Sequence, residues 1–144
     1  MLEKDWNVSA NVWSATSVNE LVRDGMDVDR FNRLHPTAEK KTSYISQCMD
    51  DQDGVVVAST DYMRLYAEQL RPWIKQRYVV LGTDGFGRSD TRERLRSFFE
   101  VDRYHVVVAT LSALADEGTI KYDVVAKAIK QYNIDADATN PVKV

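Results

Sequence analysis

The residues best placed to do chemistry lie in Tyr78–Asp90, YVVLGTDGFGRSD. An apolar run, Tyr78–Leu81, leads into a loop holding Gly82, Gly85 and Gly87, with Thr83, Asp84, Phe86, Arg88 and Ser89 around them. A helical pattern follows at once. A strand, a glycine-rich turn and a helix start form the arrangement by which α/β proteins aim backbone N–H groups at an anion. Here the spacing is not G-x-G-x-x-G and no G-K-[ST] follows, so dinucleotide and P-loop chemistry fail on spacing. Asp84 and Asp90 would also repel an anion that Arg88 attracts. The loop therefore reads either as a tight turn that packs Phe86 against a neighbour or as a contact loop. In the second case Asp84, Gly85, Phe86, Gly87 and Arg88 meet another domain or subunit. An independent anion- or small-ligand-binding module using Gly82–Ser89 is the alternative.

Other reactive residue types are sparse. His35 precedes Pro36 in a polar loop and is expected to be exposed. His105 shares a polar stripe with Ser112 and Asp116 and is expected at a surface or interface. Neither sits in a metal-ligand pattern, and no Ser, His and acid occupy recognisable strand-end positions together. Cys48 is the only cysteine, which excludes an intrachain disulfide and a cysteine-built zinc site; beside Met49 it is expected to be buried and inert. Asp50–Gly54 lacks the EF-hand register and reads as a surface turn. No catalytic, cofactor-binding or metal residue is expected in this chain.

The elements that position the loop follow from pattern. Leu2–Trp6 looks like the last turn of a helix. Asn11–Ala15 is expected to be a short strand. Ser17-Val18-Asn19-Glu20 is a capping box opening a helix that Gly25 and the nearby acids are expected to break. Tyr44–Met49 predicts one or two helical turns. The continuous apolar run Val55–Ala58 predicts a buried parallel strand. Ser59-Thr60-Asp61 is expected to cap the next helix, with Tyr62, Leu65, Tyr66 and Leu70 as its apolar face and Pro72 as its end. Trp73 and Ile74 should pack back on the sheet. After the glycine loop, Asp90 and Glu93 read as the cap of a helix carrying Leu95, Phe98 and Phe99, with arginines 92, 94 and 96 outward near Glu93 and Glu100. Tyr62, Tyr66, Phe98 and Phe99 read as core aromatics. Asp102 opens a broadly apolar, largely buried helix that Gly118 ends. A last helix holds Val124, Val125, Ala128, Ile129 and Tyr132, and Asn133–Val144 reads as polar and loosely held.

Alternating strands and helices predict an α/β fold around a mostly parallel sheet, with helices on both faces in three layers. The 144 residues, 44% hydrophobic and 28% charged, are expected to form one domain with a real core. A formal net charge of −3 gives nucleic-acid binding a low prior. No apolar run is long enough to span a bilayer as a helix, and the first ten residues lack the basic start and apolar core of a signal peptide. With one cysteine, a reducing cytoplasmic setting is the expectation.

Three stretches taken together carry a resemblance. They are Val57–Gln69, VASTDYMRLYAEQ; Val80–Glu100, VLGTDGFGRSDTRERLRSFFE; and Val101–Asp137, VDRYHVVVATLSALADEGTIKYDVVAKAIKQYNIDAD. Trp13–Gly25 and Leu34-His35-Pro36 fit as well. The chain resembles the transketolase C-terminal-like domain of the homodimeric bacterial pyruvate dehydrogenase component, and the GTDGFGRSD loop is specific to that subfamily. The resemblance implies a three-domain parent subunit that binds thiamine diphosphate and magnesium in its other domains. Such a parent decarboxylates pyruvate and acetylates the lipoyl group of a dihydrolipoyl acetyltransferase. It implies that this domain serves structure, dimerisation and interdomain packing, and is inactive alone. The family's domain starts with a strand and helix ahead of the position of Leu2. Without them an edge strand is expected to be covered by a second copy or by the N-terminal residues.

Overall fold

The computed structural model describes residues 1–144. The chain runs α1 (Leu2–Trp6), α2 (Val18–Leu34), α3 (Tyr44–Met49), β1 (Val56–Ser59), α4 (Arg64–Glu68), a 3-10 turn (Arg71–Trp73) and β2 (Tyr78–Leu81). It continues through α5 (Arg92–Phe98), α6 (Arg103–Asp116), α7 (Tyr122–Gln131) and a final 3-10 turn (Pro141–Lys143). β1 and β2 pair in parallel, Val56 opposite Tyr78 and Ala58 opposite Val80. Those four residues share one face of the sheet and join Val18, Ile45, Met49, Ala67, Leu70 and Ile74 in a core cluster. The helix α6 lies against both strands, and the alternation leaves Val57 and Val79 to face it. Helix, sheet and helix thus stack in three layers, an α/β arrangement as expected. A second cluster, Val107, Leu111, Ala115, Val125 and Ala128, joins α6 to α7. Leu2 and Trp6 of α1 pack on it, and Trp6 Nε1 donates to Tyr132 Oη at 2.6 Å.

Several local expectations give way to tertiary contacts. The strand over Asn11–Ala15 is not formed. Strand pattern alone supplies no partner for the backbone, and Val12 (95%) and Trp13 (56%) stand exposed. The N-terminal residues go to α6 and α7 and pair with neither strand. Ser17 Oγ does accept from Glu20 N (3.3 Å), but the Glu20 carboxylate turns to Arg23 instead of closing the box. α2 runs unbroken through Gly25, because that glycine is a packing site. A Cβ there would fall 2.5–2.6 Å from Cδ2 and Cζ2 of the Trp73 indole. The acids around it are engaged: Asp24 accepts Tyr44 N (2.6 Å) and Asp29 accepts Trp73 Nε1 (3.0 Å). The face of α4 that meets the core is Tyr66 and Ala67, with Leu70 just beyond its end, whereas Tyr62 and Leu65 are exposed. Thr91, not Asp90, caps α5: its Oγ1 accepts Arg94 N, while Asp90 Oδ1 accepts Thr91 N. Asp102 and Gly118 act as expected, Asp102 Oδ1 accepting the N–H groups of Tyr104 and His105 (both 2.9 Å). The tail is less loose than its polarity predicts, since Pro141 is buried. No helix is long and apolar enough to cross a membrane.

Tyr78 gives the core a pH dependence. It is 5% exposed and its Oη donates to Ala67 O at 2.9 Å. Burial, with a smaller push from Glu68, raises its phenol to about 12. A raised value means the neutral form is favoured in the fold. Its stabilisation is complete below the unfolded value near 10 and is lost as pH climbs through 12. At pH 8, Tyr78→Phe is expected to cost about 1 kcal/mol for the lost hydrogen bond. At pH 11 the unaltered chain has itself lost about 1.4 kcal/mol, so urea unfolding should show the two proteins nearly equal there. A gap that stays constant from pH 8 to pH 11 would contradict this.

Candidate functional site

Because β1 and β2 run parallel, their following loops share one edge: 60–63 after β1 and 82–90 after β2. The carboxyl edge is where open α/β sheets meet their ligands and partners. The two loops are stitched together. Thr83 N donates to Tyr62 O (2.9 Å) and Thr83 Oγ1 donates to Asp61 O (2.8 Å). Asp84 accepts from Arg64 N at 3.0 Å and from Arg64 Nε at 2.6 Å. The first N–H of α4 is therefore satisfied from the neighbouring loop, and Ser59, Thr60 and Asp61 do not cap that helix. Gly82 is demanded by proximity: a Cβ would sit 2.5 Å from Arg64 N and 2.8 Å from Tyr62 O. Gly85 has φ +108°, a region that favours glycine. Gly87 meets no such demand.

The outer half of the loop faces solvent. Phe86 is 80% exposed, so the tight turn does not pack it against a neighbour within the chain. Tyr62, Met63 and Leu65, on the adjoining segment, are also more than half exposed. Four large apolar side chains thus stand out from two bonded loops. Single exposed apolar residues are ordinary, and a group of them on one sheet edge is less so. Of the five loop residues singled out by sequence, Asp84 is half-buried and bonds across the two loops, while Gly85, Phe86, Gly87 and Arg88 are exposed. Sequence reasoning missed Met63 and assigned Tyr62 and Leu65 to a core face. The available signal was that DYMRLY directly follows a strand end, before helical spacing begins.

The electrostatics do not favour an anion. The Arg88 guanidinium lies 4.5 Å above the Phe98 ring, a contact of about 0.5–1 kcal/mol at an exposed site. Arg96 grips Asp61 with two bonds (3.1 and 2.9 Å), and Arg92 lies 4.0 Å from the same carboxylate. The Arg96 hydrogen bonds hold the Asp61 carboxyl below the usual range. Arg94 pairs loosely with Asp90 at 3.9 Å. The arginines of α5 are thus turned to Asp61 and Asp90, not to Glu93 and Glu100.

A groove of about 1180 Å³ lies away from this edge, between α5, the start of α6 and residues 132–139. Arg96, Asp102, Arg103, His105 and Tyr132 line it, and each already has a partner: Arg96 is paired with Asp61, and Tyr132 Oη accepts from Trp6 Nε1. Arg103 donates to Tyr104 Oη (2.8 Å), and His105 Nδ1 lies 2.8 Å from Asp102 Oδ1. His105 is half-buried, more enclosed than its polar stripe predicts, and braces the α6 cap. His35 is exposed as expected and stacks on Phe31 at 4.4 Å. Cys48 is half-buried, not fully buried. No three His, Cys, Asp or Glu side chains converge as a metal site would require.

Parallel strands flanked by helices, with a glycine loop and exposed apolar residues at the carboxyl edge, define an α/β domain. The chain matches the transketolase-like TK C-terminal domain family over residues 1–102 and belongs to that family. It is 57% identical over 144 residues to the pyruvate dehydrogenase E1 component of Cupriavidus necator, covering 100% of this chain and 16% of that protein. It is 56% identical over 143 residues to the protein of that name from Pseudomonas aeruginosa, covering 99% of this chain and 16% of that one. For the Escherichia coli protein the figures are 54% over 142 residues, 98% and 16%. The chain therefore spans about one-sixth of the length of these relatives.

Proposed function

We propose that this chain is the non-catalytic C-terminal domain of a thiamine-diphosphate-dependent pyruvate dehydrogenase component. The observation that carries this reading is an alignment spanning the whole chain at 57% identity while taking up only 16% of the relative. The parent enzyme decarboxylates pyruvate and passes the acetyl group to the lipoyl group of a dihydrolipoyl acetyltransferase in the cytoplasm. Thiamine diphosphate and magnesium belong to its other domains, and the residues of this chain supply no three-ligand set for the metal. This domain packs against the other domains of its subunit and against the partner subunit of a homodimer. The exposed group Tyr62, Met63, Leu65 and Phe86 supports that role, with Arg88 at its side. An independent anion-binding module is disfavoured by the Arg88–Phe98 contact and by the flanking carboxylates of Asp84 and Asp90.

Calorimetric titration tests the division of labour. Thiamine diphosphate, pyruvate and phosphate are each expected to give no saturable binding to this chain. Saturable phosphate binding that disappears in Arg88→Ala would instead support the anion-binding module. In the parent enzyme, Phe86→Ala is expected to weaken assembly by about 2 kcal/mol, roughly thirtyfold in association. The same substitution should leave the melting curve of the isolated chain unchanged, because Phe86 makes no packing contact within it. Unchanged association of the parent would remove the loop from the interface.

A further inference from the structure

The polar tail offers little reason of its own to be ordered, yet it closes on the glycine loop. Asn140 Oδ1 accepts Val142 N (3.0 Å), and Lys143 N donates back to Asn140 O (2.8 Å), which forms the Pro141–Lys143 turn locally. That turn is seated against Gly85. A Cβ at Gly85 would lie 2.5 Å from Pro141 O and 3.4 Å from Val142 Cα. Gly85 is thus glycine for two independent reasons, its φ of +108° and the backbone lying across it. Around the contact is a small cavity of about 100 Å³ bounded by Arg64, Gly82, Asp84, Phe99, Asn140 and Val142. The turn therefore borders the end of β2, the first residue of α4 and the inner half of the loop at once.

We propose that the Pro141–Lys143 turn is a latch that sets the conformation of the Gly82–Ser89 loop and with it the direction in which Phe86 and Arg88 are presented. With the latch seated, the backbone of Pro141 and Val142 lies against Gly85 and limits how far it can turn from φ +108°. With the latch lifted, the inner half of the loop loses its cover, and Phe86 follows. A partner that engages Phe86 and one that engages the tail would then influence each other, since coupling between two sites is reciprocal. The latch concerns the shape of the loop, so it stands or falls apart from whether Phe86 meets another subunit.

Hydrogen exchange in the full chain reads the latch directly. The amides of Thr83 and Asp84 are bonded to Tyr62 O and Gly82 O and report on the loop. Two variants are compared with the unaltered chain: deletion of residues 140–144, and the milder Asn140→Ala, which removes the oxygen that forms the turn. The expected result is exchange of the Thr83 and Asp84 amides faster by about tenfold or more in the deletion, and by less in Asn140→Ala, while α3 and α6 keep their protection. Loop exchange within about twofold of the unaltered chain, in a variant whose residues 140–144 are gone or freely exchanging, overturns the proposal. If the deletion raises exchange throughout, the chain has unfolded and Asn140→Ala decides between the same two results.

Discussion

Gly82→Ala is expected to lower the unfolding free energy by about 3 kcal/mol and to unpick the carboxyl edge of the sheet. Overpacking by one methyl ordinarily costs about 1–3 kcal/mol. The upper end applies here because the obstacles are backbone. The new Cβ would lie 2.5 Å from Arg64 N, 2.8 Å from Arg64 Cα and 2.8 Å from Tyr62 O. A flexible side chain could swing away, but a helix start and a carbonyl cannot move without their neighbours. The bonds that join the two loops cross the same seam: Thr83 N to Tyr62 O, Thr83 Oγ1 to Asp61 O, and Arg64 N and Nε to the Asp84 carboxylate. Alanine must part the seam, and these bonds lengthen together. Urea unfolding measures the cost, and exchange of the Thr83 amide reports the opened seam. A loss under about 0.5 kcal/mol, the scale of an ordinary surface change, would show that the loops give way freely.

Leu111→Ala acts in the other cluster, and its expected cost is about 3–4 kcal/mol. Leu111 is fully buried, and its cluster neighbours include Ala115 and Ala128, which are too small to fill the space it would leave. The lost burial and an unrelaxed cavity add together, which is why such sites lie toward the upper part of the Leu→Ala range. For a chain of this size the melting temperature should fall by roughly 10 °C. α7 is held chiefly through this cluster, so residues beyond Gln131 should lose protection as well. The volume-conserving Leu111→Met is expected to cost under about 1.5 kcal/mol. Equal losses for the two substitutions would show that the cavity is not what matters at this position.

Two helix starts were legible because the capping oxygen and the helix it serves are neighbours in sequence, although at α5 the cap proved to be Thr91 and not Asp90. Ser17 for α2 and Asp102 for α6 illustrate this, as does Gly118 at the far end of α6. The buried strands were legible as apolar runs, and β1 and β2 lie within a residue of their expected places. The fold class followed from the order of these pieces. The resemblance of GTDGFGRSD and its flanking stretches named the family that residues 1–102 match.

The exposed apolar group at the carboxyl edge was only half legible. Sequence picked out the glycine loop, but composition cannot say which way a phenylalanine points. Phe86 reads as a packing residue until the loop is seen with no neighbour beneath it. Tyr62 and Leu65 read as part of a helix face because their spacing suits one, yet α4 begins only at Arg64, where Asp84 from the other loop accepts its first N–H. That bond joins residues twenty apart, so no local pattern encodes it. The same holds for Gly25, which looks like a helix breaker and is a seat for Trp73, and for Pro141, which looks like tail and closes on Gly85. The sequence by itself determined where backbone conformation is set by adjacent residues: caps, turns, buried runs and the class of fold. Tertiary structure decided which glycines answer to a neighbour's backbone, which apolar side chains stay in solvent, and that a strand pattern at Asn11–Ala15 forms no strand. The physical reason is the same in each case. A hydrogen bond or a packing contact needs two partners, and only the folded chain brings the second one within reach.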